Sequence, residues 1–213
     1  PLITSSRRAP KVAEVEKWGA KFFTTIEARD RNDIAVFTRN IRMMANTIVR
    51  KMNQRAVEVL EAAVQASPNR LVTGVNWSTV VTAGSTASNS NLWPGYDFSR
   101  AQAQAETEEL GIVYDLWILN PQEYLQLARI YGPFLNDLLS SLGLSIFVTN
   151  RVPAGNAYVV QSGQVGQMRV EQPLQTTQWY EQETERFWTQ SSVRPLMFCD
   201  NRFAVLKFTN LAG

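Results

Sequence analysis

The residues whose types and spacing come nearest to a chemical site are three carboxylates, Glu181, Glu183 and Glu185. Period-two spacing places all three on one face of a strand, with Tyr180, Arg186 and Trp188 beside them. Stacked like charges repel unless water or cations meet them. Three readings therefore stand: a solvated strand edge, pairing with basic residues of a neighbouring subunit, or a metal site. The cations available for such pairing are Arg7, Arg8, Lys17 and a stripe formed by Arg39, Arg42 and Arg50. A second group, Glu108 and Glu109 with Asp115, invites comparison with the paired acids of glycoside hydrolysis. Adjacent residues on a helix point about 100° apart, which favours a solvated face over a converging pair.

Other chemistry is excluded by what the chain lacks. Its 213 residues include no histidine and a single cysteine, Cys199. Ser-His-Asp and Cys-His nucleophiles, histidine-ligated metals and the commonest general base at neutral pH are thereby removed. One thiol permits no intrachain disulfide and no cysteine-rich zinc site. Lying beside Met197 and Phe198 with no histidine to activate it, Cys199 reads as an inert core thiol. No phosphate-binding loop of either common form is present, and Gly163-Gln164-Val165-Gly166 reads as a turn. No catalytic, cofactor-binding or metal-ligating residue is assigned, and no cofactor is expected.

The 21 Lys and Arg residues are nearly balanced by 19 Asp and Glu, a net charge of +2. That lacks the basic excess of a dedicated nucleic-acid binder, so any contact with DNA should be local and non-specific. No apolar run approaches the roughly 18 residues that span a bilayer, and the N-terminus has no signal-peptide core. A soluble protein made in the cytoplasm, with no membrane contact, is expected. The first residue is Pro1 and not methionine, so residues upstream of it are expected to have been removed or to lie outside this sequence.

The elements that must position these residues follow from periodicity. Near-alternation in Lys11 to Glu16, continuing loosely through Trp18, Phe22, Phe23 and Ile26, predicts a strand with a bend at Gly19. Asp30, Asn32 and Asp33 offer N-cap side chains before Ile34, Phe37, Ile41, Met44, Ile48, Met52, Ala56, Leu60 and Ala63. Spacings of three and four predict one long helix over 33–66, closed at Ser67-Pro68-Asn69. On it, Arg39, Arg42, Asn46, Arg50 and Asn53 share a second stripe, read either as a solvated face or as a basic surface toward a neighbour or DNA.

Residues 70–82 have strand character and 83–95 read as a polar loop ending at Trp93-Pro94-Gly95. A helix from Asp97 or Ser99 to Leu110 stops at Gly111. A strand Tyr114 to Leu119 leads to Asn120-Pro121, a cap and first turn for another helix, and a further helical piece runs from Phe134 to Leu142. Strands follow at Ile146 to Thr149, Tyr158 to Val160, Met168 to Val170, Trp179 to Trp188, Val193 to Cys199 and Phe203 to Phe208. Helices first and strands later predict an α+β class.

Three strings in this order resemble the tailed-phage major capsid proteins that share the Hong Kong 97 capsid fold. They are Glu16 to Asn32 ahead of the long helix; Trp117-Ile118-Leu119-Asn120-Pro121 with Tyr124 and Leu127; and Val152-Pro153-Ala154-Gly155-Asn156-Ala157-Tyr158-Val159-Val160 with Gly166, Glu171 to Leu174 and a final Val205 to Leu211. The resemblance implies a peripheral domain with a long spine helix on antiparallel strands, a mixed α/β axial domain and an extended loop. Residues 1–29 fall to the returning part of the extended loop, 30–75 and 176–199 to the peripheral domain, and 76–175 and 200–213 to the axial domain. The family's N-terminal arm and the outgoing strand of its extended loop have no counterpart in these residues.

What the resemblance implies is a shell of hexamers and pentamers enclosing double-stranded phage DNA, with no enzymatic activity. The protein would reside in the virion, assembled in the cytoplasm of a bacterial host, with itself as main partner and scaffold, portal and decoration proteins as possible others. Arg7, Arg8, Lys17, Arg39, Arg42, Arg50, Glu181, Glu183 and Glu185 then become intersubunit contacts, and loops carrying Trp93, Arg151 and Asn156 gather at the capsomer axis. The rival readings are an encapsulin-type nanocompartment shell, a hydrolase working with carboxylates alone, and a DNA-binding module.

Overall fold

A computed structural model describes residues 15–31 and 34–212. Arg7, Arg8, Lys11 and the capping residues Asn32 and Asp33 lie outside the described residues, as does most of the strand expected over 11–16. The chain divides into two compact units. One takes the described residues up to Lys51 together with Met168–Phe198; the other takes Met52–Gln167 with the chain from Cys199 onward.

The first unit is built on a three-stranded antiparallel sheet in the order β1-β7-β6, with β1 at Trp18–Thr25, β6 at Gly166–Glu181 and β7 at Arg186–Cys199. Trp18 stands opposite Val193 and Thr25 opposite Arg186. Alternation gives the sheet two unlike faces. On one, Phe22 meets Phe37 edge-on at 5.7 Å, and Thr189, Ser191 and Val193 are buried. Phe37 belongs to the long helix α2, Ile34–Gln65, which follows the five-residue helix α1, Ile26–Asp30. Thr25 caps α1 through its side chain, which accepts from the Ala28 amide.

The strands β6 and β7 replace the shorter pieces expected from sequence. Met168 to Val170 and Trp179 belong to one strand of 16 residues, and Trp188 and Val193 belong to another of 14. The expected single strand Trp179 to Trp188 is instead a hairpin, turning at residues 182–185, with Glu185 in the left-handed region at φ 49°.

The second unit carries a mixed five-stranded sheet, ordered β2-β8-β5-β3-β4. Its strands are β2 Leu71–Thr73, β3 Leu116–Leu119, β4 Ser145–Val148, β5 Ala157–Val160 and β8 Val205–Thr209. Residues 75–80, read as strand from sequence, form instead a 3-10 turn at Trp77–Thr79, because the Asn76 side chain accepts from the Ser78 amide at 2.9 Å.

The sheet buries both faces, as its apolar runs require. On one face Trp117, Leu119, Val159, Leu206 and Phe208, all fully buried, pack with Trp77, Phe98 and Leu127. The Trp117 ring centre lies 4.7 Å from that of Phe98 and 5.0 Å from that of Phe208. On the other face Tyr158, Val160 and Val205 pack with Ala63 and Val64 of α2. Burying each such side chain contributes roughly 1.5–3 kcal/mol.

Three helices cover the first of these faces: α3 Pro94–Thr107, α4 Pro121–Tyr131 and α5 Leu135–Leu142. α3 starts earlier than its sequence suggests, because Pro94 occupies the first position, where a missing N–H costs nothing. At α4 the expected arrangement holds: Asn120 accepts from the Gln122 amide at 3.0 Å and Pro121 opens the helix.

Candidate interaction surfaces

Two buried networks link elements of the second unit. The guanidinium of Arg70, almost fully buried, donates to the Tyr114 hydroxyl and the Phe203 carbonyl, both at 3.2 Å, and to the Glu108 carboxylate. Burial pushes the Tyr114 hydroxyl up to about 12. Asp97, also fully buried, accepts from the Val75 amide at 3.0 Å and the Trp77 indole at 2.9 Å. Burial raises its pKa, outweighing those hydrogen bonds and the nearby Arg100.

A third link ties α2 to β8. Lys207 Nζ lies 2.8 Å from both carboxylate oxygens of Glu61, which also accepts from the Tyr158 hydroxyl. Burial pushes the Glu61 carboxyl up, but Lys207, Tyr158 and Gln65 together hold it below its ordinary value.

The carboxylates that invited a hydrolytic reading are engaged elsewhere. Glu108 pairs with Arg70, and Asp115 accepts from the Ser162 amide at 2.7 Å. Among the described residues no three acidic or cysteine side chains gather to hold a metal ion. A cavity of about 360 Å³ in the first unit is lined by Thr24, Arg29, Phe37, Gln178 and Phe187 among others, with no carboxylate or thiol.

The expected row of three carboxylates on one strand face is not formed. Glu181 ends β6, whereas Glu183 and Glu185 fall in the turn, where strand alternation no longer operates. Glu181 accepts from the Thr184 hydroxyl and from the Trp188 indole at 3.0 Å, and these two bonds lower its pKa. The result is an exposed acidic hairpin tip.

The cations are exposed as well. Lys17 precedes β1, and Arg39, Arg42 and Arg50 lie on the solvent side of α2. From Ile34 to Val57 the chain has no acidic residue, while Arg39, Arg42, Arg50, Lys51 and Arg55 all fall within it. The structure does not bring Arg39, Arg42 or Arg50 into an ion pair with a carboxylate of the described residues.

The two loops expected to gather at one axis are anchored at opposite ends of α4. Trp93 packs on Tyr131 at 6.0 Å, and the Tyr131 hydroxyl accepts from the Gly95 amide at 2.9 Å. The loop of Arg151 and Asn156 is held at the other end, where Asn120 donates to the Val152 carbonyl at 2.7 Å and Glu123 accepts from the Gly155 amide at 2.5 Å. Those anchors are separated by roughly 15 Å at 1.5 Å per helical residue. Trp93 is half-buried against Tyr131, and the apolar side chains of Leu92 and Tyr96 beside it are exposed.

One surface escapes the sequence reading altogether. On the outer face of the first unit's sheet, Phe23, Trp188 and Trp179 form a row across β1, β7 and β6, with ring centres 5.3 and 6.2 Å apart. Lys21 lies 4.6 Å over Trp188 and Arg186 lies 4.3 Å over Phe23. The only signal in the sequence is the placement of Trp179 and Trp188 on either side of the acidic tip, and it carries meaning only once the hairpin is known.

A sheet bearing one long helix, joined to a second mixed sheet with short helices, is the architecture of a phage-type capsid subunit. The family model for phage capsid protein matches residues 8–205, and the chain belongs to that family. The fold is similar to the virus-like particle of Pyrococcus furiosus, with a TM-score of 0.67 at 15% identity over 91% of this chain and 76% of that one. It is similar also to the capsid of cyanophage P-SCSP1u, with a TM-score of 0.69 at 10% identity over 100% and 80% of the two chains. A structure from Mycobacterium phage Bobi gives 0.66 at 14% identity over 92% and 72%. No curated protein matches the sequence.

Proposed function

We propose that this chain is a major capsid subunit that self-assembles as hexamers and pentamers into an icosahedral shell around double-stranded phage DNA. The observation that carries the reading is the phage capsid family match over residues 8–205. In this reading the protein is structural and not an enzyme. It resides in the virion after assembly in the host cytoplasm, with scaffold, portal and decoration proteins as further partners. Residues 30–75 and 176–199 form the peripheral domain, 76–175 and 200–213 the axial domain, and 1–29 the returning part of an extended loop.

The charges have a role in this scheme. Arg7, Arg8, Lys17 and the exposed Arg39, Arg42 and Arg50 meet the acidic tip at Glu181, Glu183 and Glu185 on neighbouring copies, while Trp93, Arg151 and Asn156 sit in loops toward the capsomer axis. Exposed pairs contribute about 0.2–1 kcal/mol each and become decisive when repeated around a closed assembly. The acid-free run of α2 supports loose, salt-dependent contact with packaged DNA.

The fold is similar to a virus-like particle about as closely as to a phage capsid, which supports, as the second reading, an encapsulin-type shell; on that reading the contents would be a protein cargo. Native mass by size-exclusion with light scattering, followed by negative-stain imaging of the purified product, tests the proposal. Hexamers, pentamers or closed particles are expected, and packaged DNA rather than protein would separate the first reading from the second. A stable monomer or dimer under assembly conditions contradicts both.

A further inference from the structure

The first unit's sheet has two edges that no strand of the described residues closes, β1 on one side and β6 on the other. β6 is the last strand in the order β1-β7-β6, and along its 16 residues only Gly166, Gln172 and Glu181 are even half-buried. Edge strands carry a row of unpaired backbone donors and acceptors, and soluble proteins guard them with charges, proline or short length. The first half of β6 has such guards in Arg169, Glu171 and Pro173. The second half has none before its last residue, Glu181. Residues 174–180, Leu-Gln-Thr-Thr-Gln-Trp-Tyr, contain no charge, no proline and no glycine. Leu174 is 58% exposed, Trp179 41% and Tyr180 42%.

The inner side of this segment is already committed. Thr176 bonds Ser191 at 2.7 Å and the Gln178 amide donates to Thr189 at 3.3 Å, both across to β7. On the outer face, the row Phe23, Trp188, Trp179 reaches the edge and stops there.

We propose that residues 174–180 are an interface between two copies of the chain, paired antiparallel about a two-fold axis at Thr177 and joining two three-stranded sheets into one. The proposal rests on the capsid reading above. In this register Leu174 faces Tyr180, Gln175 faces Trp179, Thr176 faces Gln178, and Thr177 faces its own counterpart, so no like charges oppose. The ends fix the register. Pro173, which has no N–H to give, falls opposite Glu181, where β6 ends. Moving the axis two residues toward the N-terminus places Pro173 inside the ladder, and moving it two toward the C-terminus runs the ladder into the turn.

Directly opposed residues of an antiparallel pair have Cα atoms about 4.5–5.5 Å apart, within the range a disulfide spans. The test is therefore Thr177→Cys in a Cys199→Ser background, oxidised mildly after assembly and run on a non-reducing gel beside imaging of the particles. A covalent dimer as the main species is expected. Imaged particles whose chains stay monomeric on the gel overturn the interface while leaving the capsid reading intact. A dimer formed only when Thr177→Cys is combined with Lys21→Cys overturns it in favour of head-to-tail pairing with β1. Should the unsubstituted chain form no particles, the capsid reading fails first. As a second route, Thr177→Lys and Thr177→Glu chains should each assemble at least ten-fold less well alone than when mixed; equal assembly of all three samples contradicts the two-fold axis.

Discussion

The two units of this chain bury themselves to very different degrees. In the second, the central strands β5 and β8 are closed on both faces, and Trp77, Trp117, Leu119, Leu206 and Phe208 have no exposed surface at all. In the first, the core is thin: Ile48, Thr189, Ser191 and Val193 are buried, while Phe23, Ile41, Met43, Val49, Leu174, Trp179 and Tyr180 are exposed. The second unit can account for its own stability from contacts within the chain. The first has apolar surface, open sheet edges and exposed charges of both signs, the features of a surface completed by neighbours. The contrast divides the chain into a part that folds for itself and a part that folds for the assembly.

Substitutions break or sharpen that contrast. The largest effect is expected at Arg70→Ala, which leaves Glu108 and the Phe203 carbonyl facing a buried gap: a loss of about 3–5 kcal/mol in urea unfolding of isolated subunits. Gly74→Ala comes next. An added Cβ would collide with Leu211 Cδ2 and lie 3.2 Å from Asp97 Oδ2, a crowding expected to cost about 1–3 kcal/mol by thermal melting. In the first unit Trp179→Ala should change subunit stability by less than about 1 kcal/mol, since the ring is 41% exposed, yet reduce particle yield several-fold by light scattering.

The smallest effect is electrostatic. With its folded pKa lowered, Glu61 contributes stability that is present above its unfolded value and lost as pH falls through the folded one. Lys207→Met should therefore destabilise at neutral pH by about 1 kcal/mol or less, the pair being partly exposed, and the difference from the unsubstituted chain should close in acid below the usual carboxylate range. A difference that persists there would mean that packing, and not charge, links α2 to β8.

The same division governs what the sequence reveals. The long helix is legible because its apolar spacing runs unbroken for eight turns, and α4 because Asn120 and Pro121 announce its start. The acidic tip is misread because Gln182, Glu183 and Thr184 offer no glycine, proline or asparagine to mark a turn; a Thr184 hydroxyl on Glu181 and a left-handed Glu185 make it instead. The packing of Trp93 on Tyr131 goes unread because the two lie far apart along the chain. The aromatic row depends on the pairing of three strands distant in sequence, which no local pattern records. Local signals carry elements, and surfaces come from tertiary pairing.

Hydrogen exchange on isolated subunits and on assembled particles tests the central claim most directly. The account predicts that amides of β3, β5 and β8 exchange slowly in both, whereas the alternate, edge-facing amides of β6 between Leu174 and Tyr180 exchange rapidly in subunits and become protected in particles. Equal protection of β6 in the two states would contradict it.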